Sequence, residues 1–269
     1  MLREGIVDEI VNWMRREAEK RDCAGGVFGL SGGVDSAAAA QLAVRAFGDD
    51  ALGVMLPASG SSGEDEEYAR LAASACDLDT ITLDLTEANN FLQTTFSKLD
   101  IEKVEQEYYP QTALKNAGGS DLSSQNIQTR LRMMALYYVA ESKNYLVVGP
   151  TNKSEILTGY VTLYGDAGSD LRPLGDLLKI EVWELAERLG VPREIIERPP
   201  TGAMDSGEER VTDEEEFGLD YETFDRIYLA LEQGGDLSRF DADDLNRAVE
   251  IIAGARNKLQ VPTFSLKSS

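Results

Sequence analysis

Two spacings of apolar residues alternate along the chain. Ile6, Ile10, Trp13 and Met14 recur at helical intervals between charged positions, which predicts an amphipathic helix over residues 4–20. Val27 to Leu30, after Gly25-Gly26, is a short apolar run that reads as a buried strand, and Ala37 to Ala40 read as the first turns of the next helix. Ala51 to Leu56 is a second apolar run, closed by Pro57 and the turn residues 58–63. Glu64 to Cys76 predicts a helix with acids in its first turn, where the helix dipole favours them. Thr80 to Leu85 alternates as a strand. Strands that alternate with helices predict an α/β fold, a doubly wound parallel sheet with helices on both faces. Ligands of such sheets sit at the carboxyl ends of the strands.

Residues 99–122 break this rhythm with Tyr108-Tyr109-Pro110 and Gly118-Gly119-Ser120, an excursion from the sheet. Asn126 to Lys143 predicts a helix that is apolar around most of its circumference. Such a helix needs partners on several sides, supplied by a deep core or by a second subunit. Tyr145 to Gly149 is another buried strand, and Thr151 to Glu155 begins a helical turn at its carboxyl end. A glycine-rich loop, Tyr164 to Asp170, carries Asp166 and Asp170. Lys179 to Leu189 is a short helix stopped by Gly190 and Pro192. Residues 199–216, rich in prolines, glycines and acids, read as a disordered loop or as a lid carrying Thr201. Tyr221 to Leu231 and Asp241 to Ile252 complete the pattern as amphipathic helices. With no internal repeat or boundary, residues 1–269 read as one domain.

Charge and composition narrow the function classes. Lys and Arg number 26 against 48 Asp and Glu, a formal charge of −22. That excess repels nucleic acid and acidic membranes, and it leaves an anionic ligand in need of local cations or a metal. Cys23 and Cys76 form no Cys-x-x-Cys, and the absence of histidine removes most zinc chemistry. No apolar run reaches spanning length and the N-terminal segment is charged, so a soluble cytoplasmic protein is expected.

The chemistry concentrates in Gly29, Leu30, Ser31, Gly32, Gly33, Val34, Asp35 and Ser36, between the first strand and its helix. Glycines permit close approach of an anion, and backbone N–H groups at a helix N-terminus attract it. Asp35 repels phosphate unless it holds magnesium that in turn holds phosphate oxygens. The loop is not a Walker A sequence, because no lysine follows its glycines. It matches the Gly-x-Ser-x-Gly elbow of hydrolases, but that elbow needs a histidine base. A glycine turn without a ligand is the ordinary alternative.

Ser31 to Ser36 reproduces the Ser-Gly-Gly-x-Asp-Ser loop of the N-type ATP pyrophosphatases, and the wider chain resembles the ammonia-dependent NAD synthetases. The blocks that carry the likeness are Gly29 to Ser36, Gln128 to Met133, Gly149 to Glu155, Gly159 to Asp170, Pro173 to Lys179 and Pro200-Thr201. The resemblance implies an adenine nucleotide alpha hydrolase-like fold. It implies ATP-dependent adenylation of the nicotinate carboxylate of deamido-NAD, then attack by ammonia to give NAD and AMP. It assigns ATP to the 29–36 loop with Thr151, Lys179 and Thr201, magnesium to Asp35 and Glu155, and catalysis to Asp35 and Lys179. Deamido-NAD falls to Arg130, Asp170, Asn257 and Lys258. A homodimer without a glutaminase domain follows.

The chain departs from the family pattern at three places. Pro150 stands where a threonine is usual, Leu163 where a lysine precedes Tyr-Gly-Asp, and Asn257 where a histidine precedes Lys258. Asp35 and Glu155 are expected to be unpaired without metal, so that neutralising either costs little stability. The competing enzyme, an ATP pyrophosphatase acting on a tRNA base or a nucleotide carbonyl, calls for a basic face or reactive cysteines, and the charge of −22 and two isolated cysteines speak against both.

Overall fold

The structure, a computed structural model, describes residues 2–59, 62–98, 122–199, 212–255 and Lys258. Four parallel strands form its sheet: β1 (Gly25–Gly29), β2 (Ala51–Met55), β3 (Thr80–Thr82) and β4 (Tyr145–Val147), in the order β3-β2-β1-β4. The register sets Val27 opposite both Leu52 and Val147. The chain leaves β1 toward β2 and β3, then returns to lay β4 on the other side of β1. The carboxyl ends of β1 and β4 therefore diverge, which opens the crevice that such sheets use for ligands.

Strand residues alternate between two cores because successive side chains point to opposite faces. Phe28, Met55, Leu146 and Val148 join one cluster, which α1 (Ile6–Lys20), α2 (Val34–Phe47), α3 (Gly63–Ser74) and α7 (Lys179–Leu189) cover with Met14, Leu42, Ala72 and Leu185. Val27, Leu52, Val54 and Val147 join the other, covered by α5 (Leu122–Lys143) with Leu131, Ala135 and Ala140 and by Leu92 of α4 (Thr86–Phe96). The doubly wound sheet expected from the sequence is thus present. A third cluster joins α9 (Asp213–Phe217), α10 (Tyr221–Gln233) and α11 (Ala242–Ala255) through Phe217, Tyr221, Phe224, Ile227 and Ile251. Tyr160 and Trp183 pack against it.

Three expectations change in detail. The strand expected over 80–85 ends at Thr82, and its side chains are exposed. Helix α4 had no place in the sequence reading. The long apolar helix begins earlier, at Leu122, and it is not enclosed all round: Met134 and Tyr138 lie on its outer face, the latter 72% exposed. Residues 99–121 of the expected excursion and 200–211 of the loop or lid expected over 199–216 lie outside the described residues; residues 213–216 of the latter belong to α9 instead.

Candidate active site

The loop after β1 is held by its own side chains. Leu30 N–H donates to Val54 O at 2.9 Å, which carries the sheet ladder one residue further. The Ser36 hydroxyl, nearly buried, donates to Gly33 O at 2.9 Å and lies 3.1 Å from the Ser31 hydroxyl. Ser36 therefore braces the loop. Gly32 has φ +82°, and a Cβ there would stand 2.7 Å from Asp65 O. Only glycine fits that conformation against α3. At Gly33 a Cβ would meet nothing of the protein closer than the Ser31 hydroxyl at 3.6 Å. The space above Gly33 is open, and it faces the crevice.

The loop after β4 forms the opposite wall. Asn152 caps α6 (Lys153–Thr158): its side-chain oxygen accepts from Glu155 N–H, and the Glu155 carboxylate accepts from Asn152 N–H, both at 2.9 Å. The same Asn152 donates through Nδ2 to Asp35 Oδ1 at 2.8 Å. The other oxygen of Asp35 pairs with the Lys179 ammonium. Lys179 is the first residue of α7, its side chain 3% exposed, with its ammonium 5.3 Å from the centre of the Tyr221 ring. Lys179 is therefore a buried, paired cation and not a solvated charge at a helix start. The expectation that Asp35 and Glu155 stand unpaired is corrected as well. Both are engaged through Asn152, and Asp35 also through Lys179.

These groups line one cavity of about 400 Å³. Gly29, Leu30, Ser31, Gly33, Val34, Asp35 and Ser36 form one side, with Thr151, Glu155 and Lys179 facing them. The Thr151 hydroxyl donates to Asp166 O at 3.2 Å. Pro150, which replaces the usual threonine, lines the same wall. Two cations that the sequence reading did not select complete it, Arg132 and Arg198. Arg132 Nε donates to Leu56 O at 3.1 Å, and burial pulls its guanidinium below the usual range. Arg198 pairs with Asp65 at 2.6 Å and lies 4.6 Å over the Tyr68 ring. Arg132 was legible in principle. The buried stripe Gln128, Leu131 and Ala135 turns position 132 toward the sheet and position 130 away from it.

The described residues expected at the dinucleotide lie outside this cavity. Arg130 is exposed and donates to Leu163 O at 3.2 Å. Asp170 is tied to the edge of β4, accepting from Val147 N–H at 2.8 Å and from the Tyr137 hydroxyl at 3.2 Å. Burial and this carboxylate push the Tyr137 hydroxyl up to about 12. Lys258 donates to Gly159 O at 2.5 Å, and burial lowers its ammonium. None of the three lines the cavity. Thr201 and Asn257 lie outside the described residues.

Behind the wall sits Asp225 of α10, fully buried. Burial raises its carboxyl from 3.8 to about 6. The folded chain thus holds this proton more tightly than the unfolded chain. That contribution to stability is present below about pH 4 and is lost as pH rises to about 6. The interval from 3.8 to about 6 corresponds to roughly 3 kcal/mol. Urea midpoints from pH 4 to 8 are expected to show Asp225→Asn gaining about that much on the wild type as pH rises. A constant difference between the two proteins would contradict the assignment.

A parallel sheet with a glycine loop at its switch point, facing a paired carboxylate and lysine, defines a nucleotide-binding α/β protein of the adenine nucleotide alpha hydrolase-like fold. The model of the family described as NAD synthase matches residues 6–262, and the chain belongs to that family. A curated relative from Syntrophomonas wolfei, named NH(3)-dependent NAD(+) synthetase, is 39% identical over 263 residues, 98% of this chain and 96% of the relative. The solved NMN synthetase of Francisella tularensis superposes with a TM-score of 0.79 at 28% identity, covering 98% of each chain. An NH3-dependent NAD synthetase from Campylobacter jejuni, solved with nitrate, gives a TM-score of 0.76 at 24% identity, over 98% of this chain and all 100% of the other. That likeness bears on the fold alone.

Proposed function

We propose that this protein is an ATP-dependent ligase that amidates deamido-NAD with ammonia through an acyl-adenylate, giving NAD, AMP and pyrophosphate. The observation that carries the reading is the convergence of the 31–36 loop, Asp35, Glu155 and Lys179 on one cavity at the switch point. The open space above Gly33 lets backbone N–H groups at the start of α2 approach a phosphate. Lys179 supplies positive charge to the departing pyrophosphate. Arg132 and Arg198 add cations to a wall that must accept a polyanion in a chain of charge −22. Asp35 and Glu155 would hold magnesium, and their hard oxygen donors on opposite walls fit an ion that takes one or two carboxylates plus phosphate oxygens. That ion, when bound, would neutralise phosphate charge and so ease the approach of the nicotinate carboxylate. Thr151 and Thr201 belong to the ATP side; Arg130, Asp170, Asn257 and Lys258 belong to the dinucleotide side.

The test is AMP release from ATP with purified protein. It is expected to require both deamido-NAD and ammonia. AMP release that ignores either would remove the proposal. The likeness to the Francisella enzyme favours one further acceptor, the deamido mononucleotide. A higher kcat/KM for the mononucleotide would reassign the substrate while leaving the chemistry in place.

The protein is expected to act as a homodimer in the cytoplasm. No helix among the described residues is long and apolar enough to cross a membrane. The outer face of α5, with Met134 59% and Tyr138 72% exposed, is the surface for the partner. Tyr138 also borders a groove with Ile81 of β3. Light scattering is expected to give about twice 29.4 kDa, and Tyr138→Asp to halve it. A wild-type monomer with full activity would contradict the dimer.

A further inference from the structure

Two elements must be held at a fixed separation for the cavity to work. α6 carries Glu155, and α7 begins at Lys179. A buried link joins them. The Ser154 hydroxyl donates to Asp225 Oδ1 at 2.5 Å, and the same oxygen of Ser154 accepts from Lys179 N–H at 2.9 Å. The second carboxylate oxygen, Asp225 Oδ2, accepts from Ile180 N–H at 3.0 Å. Ser154 and Asp225 are both fully buried. One turn earlier on α10, Tyr221 presents its ring to the Lys179 ammonium. One face of α10 thus fixes both the backbone and the side chain of Lys179. A carboxylate held against N–H groups of the first turn of α7 also suits the positive end of that helix.

We propose that Asp225 is a positioning residue for the adenylation step. It ties the N-terminus of α7 to α6, and so holds Lys179 in register with Asp35 and Glu155. Asp225 touches no substrate; it acts through Lys179. The inference rests on the reading of the cavity as an adenylation site. Positioning of this kind bears on turnover, because a group displaced from the geometry of the transition state loses charge stabilisation that ground-state binding does not need.

Asp225→Asn is the informative variant. Its amide keeps the shape but cannot satisfy both donors. With NH2 toward Ser154, the hydroxyl proton loses its acceptor; with NH2 toward Ile180, donor faces donor. In the first orientation the Ser154 contact persists only in reverse, with Nδ2 donating to a hydroxyl oxygen whose own proton is stranded; in the second the Ile180 link is lost. Expected results are a kcat for AMP release lowered about 10-fold, with KM for ATP changed less than about twofold. A Lys179→Met background is expected to abolish the effect, so that adding Asp225→Asn costs less than twofold more. Amine labelling read by mass spectrometry is expected to show Lys179, protected in the wild type, reacting faster in Asp225→Asn. If that variant does not fold, Ser154→Ala breaks the same link and is held to the same criteria, with about a 3-fold loss expected. A folded variant with wild-type kcat and labelling overturns the proposal, as does an equal loss of kcat in both backgrounds. A wild type that releases no AMP would instead overturn the adenylation reading.

Discussion

Replacing Lys179 by methionine is expected to lower turnover by 10² to 10³-fold, as loss of one charge-stabilising donor commonly does. The apolar stem stays packed, so the change isolates the ammonium. Lys179 is 3% exposed, and its nearest anion is the carboxylate at the start of α2. Adenylation places charge on the departing pyrophosphate, and a fixed cation in a dry wall responds to that charge without reorganising. Asp35 keeps Asn152 and its access to the cavity when the ammonium is gone, so stability is expected to fall by only about 1 kcal/mol. KM for ATP is expected to move far less than kcat. Single-turnover rates beside a melting curve check both halves. A variant within threefold of the wild-type rate would remove Lys179 from the chemistry.

Neutralising the two candidate magnesium ligands is expected to separate stability from turnover. Asp35→Asn and Glu155→Gln should each cost on the order of 10²-fold in pyrophosphate release at limiting magnesium. Their stabilities should differ. Asp35 is the counter-ion of a buried lysine. An amide there still accepts a hydrogen bond but leaves the ammonium without its charge partner. That costs about 2 kcal/mol, and a melting point lower by roughly 4–8 °C. Glu155 uses its carboxylate to cap Asn152, and glutamine performs the same cap. Its melting curve should hardly move. Near wild-type rates in either folded variant would place the metal elsewhere, and equal destabilisation of the two would contradict the Asp35–Lys179 pair.

Much of the sheet was legible because buried parallel strands leave a plain signal. Val27-Phe28 and Val54-Met55 are apolar on both faces and lie beside glycine or proline punctuation. β3 is shorter than its alternation suggests: Leu83 and Leu85 still donate to Met55 O and Pro57 O, but Pro57 has no N–H to return a bond, and the regular strand stops at Thr82. The loop after β1 was legible from its glycines and from the chemistry of Asp35. The pairing of Asp35 with Lys179 was not, because 144 residues separate them and nothing local marks the contact. Asn152 falls in the helical turn expected over Thr151 to Glu155, but its bond to Asp35 belongs to the tertiary fold alone. Arg132 carries no mark of its own in the local sequence, and only the buried stripe of α5 puts it on the cavity. Asp225 left no mark at all. An acid on an amphipathic helix reads as a solvated charge until the helix is seen against α6 and α7.

Attack of the acceptor carboxylate on the α phosphorus of ATP forms a bond that an oxygen label follows directly. Deamido-NAD carrying 18O in its nicotinate carboxylate is incubated with ATP, magnesium and ammonia, and the AMP is analysed by mass spectrometry. An acyl-adenylate transfers one carboxylate oxygen to the phosphate, so AMP with one 18O atom and NAD with the other is the expected result. Unlabelled AMP alongside newly formed NAD would contradict it.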